Sequence, residues 1–184
     1  MRYASIRNLD ISNGEGVGVA LFVQGCSRHC YNCFNQETWD FNGGKEWTQE
    51  VEDEFFKLID RPYIKRVSIL GGEPLDEKDP KCTNIKTVNH LVKTIKKDYP
   101  DKKIWLYTGN TLHNQDFHYI NGLMIGSELD VYWYETIQSC DIIVDGEYID
   151  NLRDFKLKWR GSSNQRVIDV PQSKKENKII LYCN

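Results

Sequence analysis

The chain has 184 residues, 40% of them hydrophobic and 28% charged, and a net charge of −3; this suits one folded domain with a single sizeable core and excludes a disordered or membrane-embedded polypeptide. Acidic and basic residues are interspersed, so no long-range field gathers nucleic acid. Met1 to Asp10 mixes Arg2, Arg7 and Asp10 with apolar positions, so neither a signal peptide nor a membrane span is expected, and the cytoplasm is the expected compartment.

Val17 to Gln24 (VGVALFVQ) is a nearly continuous apolar run of strand length, as in a strand buried on both faces, and it runs directly into Gly25 and a cysteine cluster. Thr48 is placed to cap a helix through about Ile59, with Glu50 and Glu52 at its positive end and Pro62 beyond its stop. Arg66 to Leu70 (RVSIL) reads as a second buried strand followed by Gly71, Gly72, Glu73 and Pro74. Asn84 to Lys97 places Ile85, Val88, Leu91, Val92 and Ile95 at helical intervals. Lys103 to Tyr107 is a third strand, ending at Thr108 and Gly109, and Asp141 to Val144 a fourth, ending at Asp145 and Gly146.

Alternation of strands and helices implies right-handed crossovers and a mainly parallel sheet. A complete eight-fold barrel needs about 200 residues or more, so the expected architecture is α/β, a partial, open βα barrel. Asn110 to Gln138, with Tyr119, Tyr132, Trp133 and Tyr134 among polar positions, is expected to hold one or two helices with loops. From Lys158 onward, short β-type runs at Arg166–Val170 and Lys178–Tyr182 flank a polar loop, Pro171–Asn177, and suggest a sheet edge or a frayed C-terminal extension of a single domain.

Of six cysteines, Cys26, Cys30 and Cys33 fall in the pattern C-x3-C-x2-C on a loop leaving a strand, while Cys82, Cys140 and Cys183 stand apart. A tight triplet in an intracellular protein reads as metal or redox chemistry, and the scattered three as small apolar fillers of core or strand positions. Three thiolates are too few for a closed structural zinc site; they suit a four-iron four-sulfur cluster with one iron left open. The competing reading is a zinc-binding interaction module in which His29 or a distant cysteine is the fourth ligand. The glycine-rich Asn13–Gly18 precedes a strand rather than opening a helix, so a turn is expected there instead of a phosphate cradle.

The cysteine pattern after the first strand, with Gly-Gly-Glu-Pro after the second, resembles the radical S-adenosylmethionine (SAM) superfamily. That resemblance implies a 4Fe-4S cluster on Cys26, Cys30 and Cys33, with SAM on the fourth iron. It also implies that Gly71, Gly72, Glu73 and Pro74 receive the methionine amino group, Glu73 as its acceptor. Many superfamily members carry an aromatic residue just before the third cysteine to pack near adenine; here Asn32 is preceded by Tyr31 and Phe34 follows, so Tyr31, Asn32 and Phe34 are the candidates for that contact. Thr108 and Asp145, just past strand ends, are candidates to contact ribose or the amino acid part of SAM, and Asp145 also fits an Asp-Gly turn.

Further stretches (NGEG, LFVQGC, CFNQETWDF, WLYTG, VDG and WRGSSNQR) make the chain similar, from about Arg2 to Val167, to the activating proteins of anaerobic ribonucleoside-triphosphate reductase. The resemblance implies reductive cleavage of SAM to methionine and a 5′-deoxyadenosyl radical that removes hydrogen from a glycine of the large reductase subunit, with a flavodoxin or ferredoxin as electron donor. A small-molecule radical SAM enzyme of the 7-carboxy-7-deazaguanine synthase kind is the alternative within the superfamily.

Overall fold

A computed structural model describes residues 1–79, 81, 83–117 and 127–183. Eight strands form one sheet: β1 (Arg2–Asp10), β2 (Gly18–Val23), β3 (Lys45–Glu46), β4 (Arg66–Gly71), β5 (Lys103–Tyr107), β6 (Ile142–Asp145), β7 (Arg166–Asp169) and β8 (Leu181–Cys183), in the order β3-β1-β2-β4-β5-β6-β7-β8. The four central strands, β2, β4, β5 and β6, are parallel. On both flanks the pairing is antiparallel. The expectation of a mainly parallel sheet therefore holds for the middle of the sheet and fails at its margins, and the sheet is open because β3 and β8 end it.

The helices are α1 (Gln49–Ile59), α2 (Thr83–Asp98), α3 (Glu128–Ser139) and α4 (Val170–Glu176). Thr48 caps α1 by accepting from the Val51 amide, and Ser127 and Asp130 form a reciprocal capping box on α3. All four helices feed one apolar core: Phe55 and Ile59, Ile85 to Ile95, Ile137 and Val170 meet Val19, Leu21, Val23, Val67, Ile69, Ile104, Leu106 and Ile143. Alternate strand residues point to the opposite face, where Ala20, Phe22, Leu70, Trp105 and Val144 lie with no helical partner in their clusters.

Several segments depart from the sequence reading. Met1 to Asp10 contains a strand the hydropathy pattern does not announce, because β1 is exposed along much of its length. Pro171–Asn177, expected as a polar loop, falls mostly in α4: Asp169 caps it through the Gln172 amide at 2.9 Å, and Pro171 sits in its first turn. The C-terminal runs take the sheet-edge alternative of the expectation: β7 pairs with β6 and β8 forms the edge. Between Asn110 and Gln138 the described residues contain a short 3-10 turn (Asn114–Phe117) and most of α3; Tyr119 lies outside the described residues, as does Cys82. Cys140 is buried and Cys183 lies in β8. Of Asn13–Gly18, all but Gly18, which opens β2, belongs to the turn between β1 and β2, with Asn13 held to the Asp10 carboxylate at 2.9 and 2.8 Å. Among the described residues no helix is long and apolar enough to cross a membrane.

Candidate functional site

Because the central strands are parallel, their C-terminal ends share one edge, the usual place for ligands of βα sheets. β2 delivers Gly25 and Cys26 there, β4 delivers Gly71 to Glu73, β5 delivers Thr108 to Asn110, and β6 delivers Asp145 and Gly146. A cavity of about 560 Å³ opens at this edge, and Cys26, Cys30, Cys33, Gly71, Gly72 and Thr108 all line it.

The cysteine loop is held by its backbone. The Gly25 amide donates to the Thr38 carbonyl at 2.7 Å and the Cys26 amide to the Trp39 carbonyl at 3.0 Å. Ser27 donates to the buried Asp76 carboxylate from its amide at 2.7 Å and its hydroxyl at 3.2 Å. His29 and Asn32 turn the chain with φ of 52° and 53°, in the left-handed region.

The Cys33 sulfur accepts from the Asn35 amide at 3.4 Å. Burial pushes the Cys26 and Cys30 thiols up to about 11, so they are protonated at neutral pH until a metal displaces the proton. Amide donors aimed at cysteine sulfur are the environment of iron–sulfur ligands. His29 is stacked on Trp39, with ring centroids 4.7 Å apart. Among the described residues, no three Cys, His, Asp or Glu side chains converge on a single ion. Three thiols on one loop can each bind a different iron of a cubane. The donor set therefore fits a 4Fe-4S cluster.

Glu73 is buried and fully engaged. One carboxylate oxygen accepts from the Leu75 amide (3.1 Å) and the Thr108 hydroxyl (2.8 Å), and the other from the Gly109 amide (2.7 Å) and the Arg28 guanidinium (3.2 Å). Burial pushes its carboxyl above the ordinary glutamate range, and these donors oppose that rise. Gly71, at φ 107°, and Gly72 are required by a close approach of backbone: a Cβ at Gly71 would meet Phe22, and one at Gly72 would collide with the Gly25 carbonyl. The pair of glycines thus locks the loops after β2 and β4 together, a role that spacing alone does not reveal.

The remaining sequence candidates are placed as follows. Thr108 is buried and bound to Glu73. Asp145 is fully buried in an ion pair with Arg166 and accepts from the Leu112 amide at 2.8 Å. It is not among the residues lining the cavity, which its neighbours Val144 and Gly146 are. Pro74, Tyr31 and Asn32 also stand outside the lining. Tyr31 is 77% exposed, and Asn32 donates to the Asp150 carboxylate at 3.0 Å. Phe34 does line the cavity and packs on Tyr148 at 5.1 Å.

Trp159 to Arg166 now has a structural role. The Gln165 side chain accepts from the Gly161 and Ser162 amides and donates to the Gly146 carbonyl. Asn164 donates to the Glu147 carbonyl at 2.8 Å, and Trp159 stands edge-on to Trp105 at 5.0 Å. The segment fastens the loop after β6 and walls the cavity. Arg28, Asp76 and Asn84 were not singled out in the sequence. Asn84 donates to the Gln24 and Glu73 carbonyls at 2.9 and 3.3 Å, across 60 and 11 positions, and no motif spacing announces such pairings.

The 4Fe-4S single cluster domain family matches residues 12–168. The anaerobic ribonucleoside-triphosphate reductase-activating protein of Vibrio cholerae is 36% identical over 169 residues, 91% of this chain and 97% of its own length. The proteins of the same name from Escherichia coli K12 and Enterobacteria phage T4 are each 34% identical, over 91% of this chain and 97% and 93% of their own lengths. With three cysteines on the loop after β2 lining the cavity and relatives matched nearly end to end, this chain belongs to the family of anaerobic ribonucleoside-triphosphate reductase-activating proteins.

Proposed function

We propose that this protein is a radical SAM activase that generates a glycyl radical on the large subunit of an anaerobic ribonucleoside-triphosphate reductase. The observation that carries the reading is the placement of Cys26, Cys30 and Cys33 on the wall of a cavity shared with Gly71, Gly72 and Thr108. The open sheet, parallel in its middle, supports reading the fold as a partial βα barrel of radical SAM type.

The chemistry a bound cluster supplies is one-electron cleavage of SAM to methionine and a 5′-deoxyadenosyl group, which takes a hydrogen atom from glycine and leaves as 5′-deoxyadenosine. The electron comes from a flavodoxin- or ferredoxin-type donor. The chain's own residues do the rest. Cys26, Cys30 and Cys33 hold the cluster; Gly71, Gly72 and Glu73, supported by Thr108, frame the amino acid end of SAM; Phe34 offers the aromatic face beside the third cysteine. Asp145 acts at a distance by fixing Arg166 and the loop at Leu112. Walls of Phe22, Leu70 and Trp159 limit water and competing hydrogen donors near the reacting carbon. The cytoplasm is the compartment this chemistry implies.

The test is to reconstitute the protein without oxygen, add reductant, SAM and a large subunit carrying deuterated glycine, and record paramagnetic spectra. A glycine-centred doublet on the large subunit and deuterium in 5′-deoxyadenosine are expected. Turnover of a soluble small molecule with no label transfer would place the chain with the deazaguanine-synthase kind instead.

A further inference from the structure

Three buried carboxylates of this molecule are each met by an arginine: Asp10 by Arg66, Glu73 by Arg28 and Asp145 by Arg166. Asp76 is different. It is 3% exposed, and its oxygens accept from the Ser27 amide at 2.7 Å, the Ser27 hydroxyl at 3.2 Å and the Lys78 amide at 2.8 Å. All three donors are neutral, Lys78 itself is exposed, and no ion pair of Asp76 occurs among the described residues. These hydrogen bonds satisfy the carboxylate without cancelling its charge.

The place of that charge matters. Ser27 follows Cys26 directly, and the Asp76 amide donates to the Glu73 carbonyl at 3.3 Å, so one turn after β4 carries both carboxylates to the cysteine loop. Burial is the main cause that pushes the Cys26 thiol up to about 11, and the charges of Glu73 and Asp76 push in the same direction. Arg28 offsets Glu73, whereas Asp76 has no such counter-ion. A carboxylate that opposes negative charge on this sulfur opposes an added electron on the metal the sulfur holds.

We propose that Asp76 sets the reduction potential of the site: its unpaired negative charge, held against the residue after Cys26, lowers the potential of the cluster that Cys26, Cys30 and Cys33 bind. The role rests on the cluster and SAM reading above and adds to it a residue that tunes the electron without holding metal or SAM. Net charge is one of the levers that fix an iron–sulfur potential. The balance involves one electron, which a flavodoxin- or ferredoxin-type donor gives to the cluster and which passes to SAM as its carbon–sulfur bond breaks. A fixed negative charge beside the loop raises the energy of the reduced state, so the first transfer becomes harder and the second more favourable. Such a residue suits a site that must force an electron onto a sulfonium, and it demands a strongly reducing donor.

The experiment is a redox titration of the anaerobically reconstituted protein without SAM, following the paramagnetic signal of the reduced cluster at equal iron content. Asp76→Asn should shift the equilibrium toward the reduced cluster by about ten-fold or more, the order a nearby unit charge exerts at the effective dielectric of a protein, or ~59 mV upward for a one-electron couple. Ser27→Ala loosens the same contact but keeps the charge, and it should not raise the potential. Asp76→Glu and Asp76→Gln lengthen the side chain equally and differ in charge, so the Gln form should lie above the Glu form; this pair decides the matter if Asp76→Asn holds no cluster. A potential unchanged in Asp76→Asn, raised as far by Ser27→Ala, or equal in the Glu and Gln forms overturns the proposal, as does wild-type protein that takes up no 4Fe-4S cluster. A raised potential in Asp76→Asn, on a cluster whose spectrum SAM leaves untouched, upholds the charge effect and sinks the SAM reading alone.

Discussion

The two faces of the central strands are built on different terms. On the helix-covered face, Val19, Leu21, Val67, Ile69, Ile104, Leu106 and Ile143 join residues of α1 to α4 in one apolar cluster. On the other face, the same strands set Arg66, Ser68 and Tyr107 among Phe22, Leu70 and Trp105. Here the Tyr107 hydroxyl, the Trp105 indole nitrogen and the Nε atoms of Arg66 and Arg160 are buried without a hydrogen-bond partner. Such atoms cost about 1–3 kcal/mol each when left dry. One face maximises burial; the other tolerates local penalties around a cavity, the usual mark of a working surface.

The sharpest way to break this contrast is at the cysteines. Cys26→Ala, Cys30→Ala and Cys33→Ala should each eliminate bound iron after anaerobic reconstitution, whereas Cys82→Ala, Cys140→Ala and Cys183→Ala should retain it. Colorimetric iron per chain decides the matter, and a distant cysteine as necessary as the triplet would refute an open-iron site.

Next in size is the buried ion pair of the cavity-side face. Arg66 donates to the Asp10 carboxylate at 2.6 Å, and both side chains are essentially inaccessible. Asp10→Ala strands the Arg66 charge and should cost about 3–5 kcal/mol in urea unfolding. Burial pushes the Asp10 carboxyl upward, but hydrogen bonds from Arg66 and Asn13 and the Arg66 charge hold it below the ordinary aspartate range. Its stabilisation is therefore fully present above the unfolded value of about 3.9 and is lost as pH falls through the lower folded value. Stability of the wild type should fall more steeply with acid than that of Asp10→Asn; parallel curves would remove Asp10 from the account.

On the helix side, Leu91→Ala should cost about 3 kcal/mol through lost burial and an unfilled cavity. Iron content should not change, because Leu91 belongs to the helix-side core and does not line the cavity that holds the cysteines. A loss of iron in step with stability would mean that the two faces are not independent. The smallest effect is expected from Tyr107→Phe, which removes an unpartnered buried hydroxyl and should raise the stability of the unliganded protein by about 1 kcal/mol, the low end of that range. Destabilisation beyond that would show that a bound water pairs the hydroxyl.

The helix-covered face was legible in the sequence because burial there follows simple periods. Ile85, Val88, Leu91, Val92 and Ile95 repeat as a helix does, and the central strands are apolar enough to stand out as runs. β1 and α4 were illegible for the converse reason: β1 is largely exposed, and α4 buries only Val170 and Ser173, so neither shows an apolar stripe. The capping signal of Asp169 and Pro171 was present, yet without periodicity it read as a loop.

At the site, the sequence by itself determined which residue types gather: three cysteines at a spacing fit for a cluster, and Gly71 to Glu73 at the end of a strand. Local spacing carries that information because the residues share one loop or one strand end. Only the tertiary structure decided what they touch. Tyr31 and Asn32 turn away from the cavity while Phe34 lines it, Asp145 is tied to Arg166, and Glu73 meets Arg28 from 45 positions away and Thr108 from 35. Hydrogen bonds between segments so distant depend on strand order and on how the cysteine loop folds back toward β4, and neither is written in any local pattern of the chain.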